Sequence, residues 1–126
     1  MKKTRYHHGC AVSQYSGSPT VFVVGGWDEN NNILDTVEIL NIQGRKEWII
    51  LNSRLPRPLH FLQVVPSHSS NFLVYAIGGQ DENLVPRTEI YGLNLTDDWE
   101  LVGNLAQKRA GLVSLNIVQN EISDCK

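Results

Sequence analysis

The sequence predicts an all-β protein assembled from four-stranded antiparallel units. Three observations predict it: markers that recur with a period of about fifty-two residues, apolar runs and two-residue alternations of strand length, and turn-forming clusters between them. No helical period competes over any long window.

The repeat rests on four markers that keep one order. Arg5, Arg57 and Arg109 stand 52 and 52 residues apart, and the third position after each holds His8, His60 and Leu112. Gly25-Gly26 recurs as Gly78-Gly79, Glu38 as Glu89 and Trp48 as Trp99, at spacings of 53, 51 and 51. The units so defined are residues 1–51, residues 52–103 and the truncated start of a third unit in residues 104–126.

Each unit reads as four short strands. The first follows the Arg-x-x-His position, at Gly9-Cys10-Ala11-Val12, at Phe61-Leu62-Gln63-Val64-Val65 and at Leu112 to Val118. The second is the apolar run ending in the glycine pair, Val21 to Val24 and Phe72 to Ile77; being apolar on successive residues, it belongs near the middle of a sheet, buried on both faces. The third alternates with period two, as Thr36-Val37-Glu38-Ile39-Leu40 and Thr88-Glu89-Ile90-Tyr91. The fourth starts at the tryptophan, Trp48-Ile49-Ile50-Leu51 and Trp99-Glu100-Leu101-Val102. Ser16-Gly17-Ser18-Pro19, Asp28 to Asn32, Pro66 to Asn71 and Asp81-Glu82-Asn83 supply the turn chemistry between strands.

Arg-x-x-His, an apolar strand ending in Gly-Gly, then Glu, then Trp, all within about fifty residues, resembles the kelch motif, of which one copy makes one blade of a β-propeller. The resemblance extends from residue 5 to about residue 118. It implies four-stranded antiparallel blades of an incomplete propeller, two blades plus the first strand of a third. The structural residues it implies are Arg5, His8, Gly25, Gly26, Glu38, Trp48, His60, Gly78, Gly79, Glu89, Tyr91 and Trp99. The glycine pairs then serve to bend a buried strand where blades crowd together. Trp48 and Trp99 pack between blades, and Glu38 and Glu89 accept hydrogen bonds from donors that the sequence does not identify. Departures from the pattern are Leu40 where the family has tyrosine, Asn41 and Gly92 where it has aspartate, and Leu112 in place of the histidine.

A propeller closes with roughly four to eight blades, so two blades leave apolar packing faces open. Three explanations are compatible with the pattern: a piece of a longer protein, assembly with copies or partners that close the ring, or a two-blade sheet standing alone. The first is the leading expectation.

Composition narrows the function. The chain carries 11 basic and 13 acidic residues, a net charge of −2, which supplies no basic field for nucleic acid or an anionic membrane surface. No apolar run approaches the roughly 20 residues of a membrane helix. Met1-Lys2-Lys3-Thr4-Arg5 is basic, but Tyr6-His7-His8-Gly9 follows it where a secretory signal needs an apolar stretch, so the expected location is cytoplasmic. Cys10 and Cys125 stand far apart and outside any paired motif, and read as free thiols. The sequon Asn94-Leu95-Thr96 is then not expected to be glycosylated.

Catalytic and metal readings are thin. His7 and His8, adjacent on a strand, point to opposite faces, and no cysteine or carboxylate stands nearby at ligand spacing. There is no nucleophile elbow and no phosphate-cradling glycine loop. No enzyme activity, metal or cofactor is expected. The alternative reading is a fragment of a kelch-fold enzyme acting on carbohydrate, of the copper radical oxidase or sialic-acid epimerase type.

Binding is the better case. In a four-stranded blade the connections after strands two and four emerge on one face. That places Trp27, Asp28, Glu29 and Asn30, and Gln80, Asp81, Glu82 and Asn83, on a rim shared with the segments that lead to Arg57 and Arg109. Mixed charge and an exposed aromatic, Trp27, suit recognition of a protein or peptide. The resemblance adds actin or the substrate of a cullin-type ubiquitin ligase as classes of partner, and self-association as a route to closing the ring.

Overall fold

A computed structural model of the chain describes residues 1–111. Eight strands follow in order: β1 (Gly9–Tyr15), β2 (Ser18–Val24), β3 (Thr36–Asn41), β4 (Trp48–Arg54), β5 (Gln63–Pro66), β6 (Phe72–Ile77), β7 (Arg87–Asn94) and β8 (Trp99–Arg109). They form two four-stranded antiparallel sheets, β1-β2-β3-β4 and β5-β6-β7-β8, the two blades of an unclosed propeller. No helix among the described residues is long and apolar enough to cross a membrane.

Each strand forms where the local pattern placed it. The glycine-pair strands β2 and β6 lie inside their sheets, and Phe22, Val23 and Val24 are buried on successive positions. Ladder pairing carries the alternation of β3 across the sheet, Val21 opposite Leu40 and Phe22 opposite Ile39. The fourth strand of the second blade runs to Arg109, well past the Val102 expected from sequence. The expected strand from Leu112 to Val118 and the thiol of Cys125 lie outside the described residues. Cys10 is a free, exposed thiol.

The core lies between the blades. Phe22, Val24, Val37 and Ile39 of the first sheet and Val64, Val74, Ala76 and Leu93 of the second belong to one apolar cluster. Leu55, Leu59 and Leu62 of the β4–β5 connection complete it. Strand β1 packs on β5 and β6. The approach is close because Gly9 has no side chain: a Cβ there would come within 2.4 Å of Val64 Cγ2. Among the described residues, two side-chain hydrogen bonds join strands of the two blades, Ser13 Oγ donating to the Leu73 carbonyl at 2.7 Å and the Tyr15 hydroxyl to Asp97 Oδ2 at 3.0 Å. Burial, together with Asp97, pushes the Tyr15 phenol above its ordinary pKa.

The two tryptophans separate here. Trp99 packs against the inter-blade cluster. Trp48, the expected counterpart, is half-buried on β4 outside that cluster. Val12, Val21, Leu40 and Trp48 lie in one cross-strand row. Gly9, Ser13 and Tyr15 face the second blade, so alternation turns this row to the open side of the first blade.

Candidate functional site

The rim expected from sequence forms around the two glycine pairs. All four glycines adopt positive φ, 64° and 96° at Gly25 and Gly26, 61° and 95° at Gly78 and Gly79. A Cβ on Gly26 would stand 2.8 Å from the Tyr6 carbonyl oxygen, and one on Gly79 2.9 Å from that of His60. The bend lets Trp27 exchange two backbone hydrogen bonds with Tyr6, and Gln80 two with His60. Each glycine pair is also tied to the next lead-in segment. The Gly26 amide donates to the Leu59 carbonyl and the Gly79 amide to the Arg109 carbonyl, both at 2.8 Å.

These bonds correct the register read from the arginines. The Phe61 amide donates to the His7 carbonyl and the Gly111 amide to the Phe61 carbonyl, and all three residues have positive φ. The equivalent positions are therefore His7, Phe61 and Gly111, separated by 54 residues and then 50. Arg109 stands two residues before this point, as Arg5 does, but in the second blade that place is held by Leu59. His60 corresponds to Tyr6 rather than to His8, and Arg57 has no counterpart in the first blade's motif. The even arginine spacing arose because the 54-residue and 50-residue steps have the same sum as two steps of 52.

The donors that the glutamates need follow from that register. Arg5 is buried; Nη1 donates to the carbonyls of Gly25 (2.9 Å) and Thr36 (3.2 Å), and Nη2 to Thr36 Oγ1 (3.2 Å) and Glu38 Oε2 (2.8 Å). The Lys2 amide donates to the other oxygen of Glu38, which is 0% exposed. Burial pushes the Arg5 guanidinium pKa down, against the opposing charge and hydrogen bond of Glu38. In the second blade Leu59 has no charge to offer, and the ladder sets Glu89 at the position of Thr36 and Tyr91 at that of Glu38, against the equivalence read from sequence; Arg87, at the position of Leu34, reaches Glu89 through Nε and Nη2. The hydrogen bonds from Arg87 hold the Glu89 carboxyl down, against its desolvation, at a pKa of about 2.

The two loops after the glycine pairs are twins. Asp28 Oδ1 accepts from the amides of Asn30 and Asn32, and Asp81 Oδ1 from those of Asn83 and Val85. The Asn32 amide leads in holding the Asp28 carboxyl below its ordinary pKa. Desolvation raises that of Asp81, but the Val85 and Asn83 amides, with Arg87 and Arg57, outweigh it and leave it lowered. Both carboxylates thus shape their own turns, and Asp81, 3% exposed, also faces Arg57 at 3.6 Å and Arg87 at 3.5 Å.

Glu29, Asn30, Glu82 and Asn83 are exposed on the rim, as is Arg109, while Gln80 is half-buried in its bridge. Trp27, expected to be exposed, is half-buried: its ring meets His60 edge-on at 5.1 Å and lies 6.0 Å from Tyr6. His60 itself is 1% exposed, and burial, with His7 nearby, keeps its pKa below that of a free imidazole. Among the described residues no group of three or more His, Cys, Asp or Glu side chains is placed to hold a metal ion.

Reasoning on the sequence missed part of the rim's apolar surface. Tyr6 and Phe61 are exposed, the latter stacked on His7 at 3.9 Å, and Leu84 and Val85 project from the second loop. The signal for the last two lay in the twin loops, where Leu84 and Val85 stand at the places of Asn31 and Asn32.

The kelch motif family model matches residues 4–53, the stretch holding Arg5, the first glycine pair, Glu38 and Trp48. No curated protein matches the chain. That match falls on the first of two blades that repeat the same sheet order and the same glycine bend, and it supports a kelch-repeat protein.

Proposed function

We propose that the chain is a protein-interaction module that engages its partner through the rim formed by the β2–β3, β4–β5 and β6–β7 connections. The observation that supports this reading most is the rim's composition. Tyr6, Phe61, Leu84 and Val85 are exposed there beside Glu29 and Glu82, whose carboxylates pair with no side chain among the described residues. Aromatic and aliphatic anchors bordered by polar side chains are the makeup of a recognition surface. Kelch repeats in general mediate protein–protein interaction, which supports the same reading.

A finer role, the substrate-recognition part of a cytoplasmic cullin-type ubiquitin ligase, rests on family resemblance alone. A partner that is not another copy fits the geometry better than a ring of copies. In a head-to-tail ring the lead-in of the next copy would need the Gly79 amide and the Phe61 carbonyl, which Arg109 and Gly111 already hold.

A photo-crosslinking amino acid placed at Asn83, on the rim, and separately at Ser70, in the β5–β6 turn of the opposite face, tests the proposal. Discrete adducts from position 83 and none from position 70 are expected. Equal labelling from both positions, or none from position 83, overturns it.

A further inference from the structure

Between the twin loops lies a pocket of about 440 Å³ lined by Trp27, Asn31, Asn32, Ile33, Glu82 and Leu84. We propose that this pocket is a peptide subsite that takes an apolar side chain with a lysine or arginine close beside it. The inference rests on the rim reading above and specifies the partner's chemistry at one place on it.

Leu84 carries the argument. It stands at φ 60°, in the left-handed region that a bulky L-residue enters only at a steric cost, and 55% of its surface is exposed. Its twin, Asn31, takes φ 62° with a side chain suited to that conformation. The second loop thus replaces the locally favoured residue with one that is disfavoured twice over, by its backbone and by its contact with water. Val85 repeats the pattern one position on, exposed where the first loop has Asn32. The loop needs neither residue for its own turn, because Asp81 Oδ1 bonds backbone amides alone, as Asp28 Oδ1 does in the first loop. A strained and exposed apolar residue of this kind marks a contact kept for a partner.

The surroundings define the partner. Leu84, Ile33 and Trp27 supply an apolar surface large enough for one side chain, and a pocket of this volume falls in the range of ordinary ligand sites. Glu82 is the charged lining residue, and it makes no side-chain ion pair or hydrogen bond among the described residues. By contrast, Asp81 is already faced by Arg57 and Arg87. The charge left unmatched at the pocket is therefore negative, and it favours a cation next to the inserted apolar group. Asn31 Nδ2 and Asn32 Oδ1, the halves of these amides not engaged with Tyr6 and Asp28, add a donor and an acceptor for an extended backbone.

The test uses the full chain as bait for a phage-displayed library of random dodecapeptides. Enriched sequences should place an apolar residue within two positions of lysine or arginine. Synthetic versions should bind Leu84→Asn and Glu82→Lys about tenfold more weakly than the parent. Leu84→Asn copies the twin loop, so its melting temperature should equal or exceed the parent's; weaker binding without lost stability separates a contact residue from a structural one. An acidic consensus, or binding indifferent to Leu84→Asn, overturns the subsite. Absence of any enrichment also overturns it, and the rim reading survives that result only if the crosslinker at position 83 still captures a partner.

Discussion

The two blades solve one electrostatic problem in two ways. Each carries a glutamate on its third strand, just past a register shift in the pairing with the fourth. In the first blade the neutralising guanidinium comes from the lead-in segment, 33 residues away in sequence, and also satisfies the carbonyls of Gly25 and Thr36. In the second, that lead-in position is Leu59, absorbed into the apolar core, and Arg87 delivers the guanidinium from two residues away on the same strand. The two glutamates do not stand at equivalent places, since Tyr91 takes the ladder position of Glu38 and Glu89 that of Thr36, so each blade neutralises its own carboxylate with an arginine from a different segment. The consequence is an unequal pair: the side chains of Arg5 and Glu38 are 0% exposed, those of Arg87 and Glu89 are 27% and 15% exposed.

The largest break in that comparison is Arg5→Leu, which gives the first blade the second blade's residue without its compensation. Glu38 would be left buried and uncompensated, and the variant should lose about 3–5 kcal/mol of unfolding free energy by urea titration. Adding Thr36→Arg places a guanidinium two residues before Glu38, the spacing of Arg87 to Glu89; a double-mutant cycle should then show favourable coupling of about 1 kcal/mol or more. A coupling of zero would mean that the exchange of positions is not compensatory.

The tryptophans come next. Trp99→Ala removes a ring packed on the inter-blade cluster and should cost about 3 kcal/mol, whereas Trp48→Ala, on the open side, should cost about 1 kcal/mol. Equal losses would show that Trp48 packs as deeply as its counterpart.

Arg87→Thr, which removes the second blade's guanidinium, strips a more exposed pair and should cost about 1–2 kcal/mol, clearly less than Arg5→Leu. The smallest effect is in acid. The folded-state pKa of Glu89 lies at about 2, below its ordinary 4.5, so its contribution is complete above pH 4.5 and is lost as pH falls toward 2. Between those limits the Glu89→Gln variant should show a shallower decline in stability than the parent. Identical slopes would mean that the ion pair with Arg87 is not formed in solution.

The rim was legible in outline. The loops after the glycine pairs could be placed on one face because strand order in an antiparallel sheet dictates which ends connect. Which rim side chains remain free could not be read. Asp81 and Glu82 are neighbours with the same charge, yet one is consumed by amides and arginines and the other is solvated. Leu84 looked like an ordinary loop residue until its φ was known.

Strand positions, their order in the sheet and the glycine bends were determined by sequence alone. They depend on period-two alternation, on apolar runs and on a backbone conformation that glycine adopts without strain, all of them local properties. Only the tertiary structure decided that Leu59 replaces Arg5, that Arg87 takes over Glu89 and that His60 stands in the place of Tyr6. Equivalence between blades is fixed by which backbone groups meet across the lead-in segments, and a two-residue difference in the connection moves every side chain there to a new partner. Residue spacing counts positions along the chain, whereas an ion pair depends on distance in space.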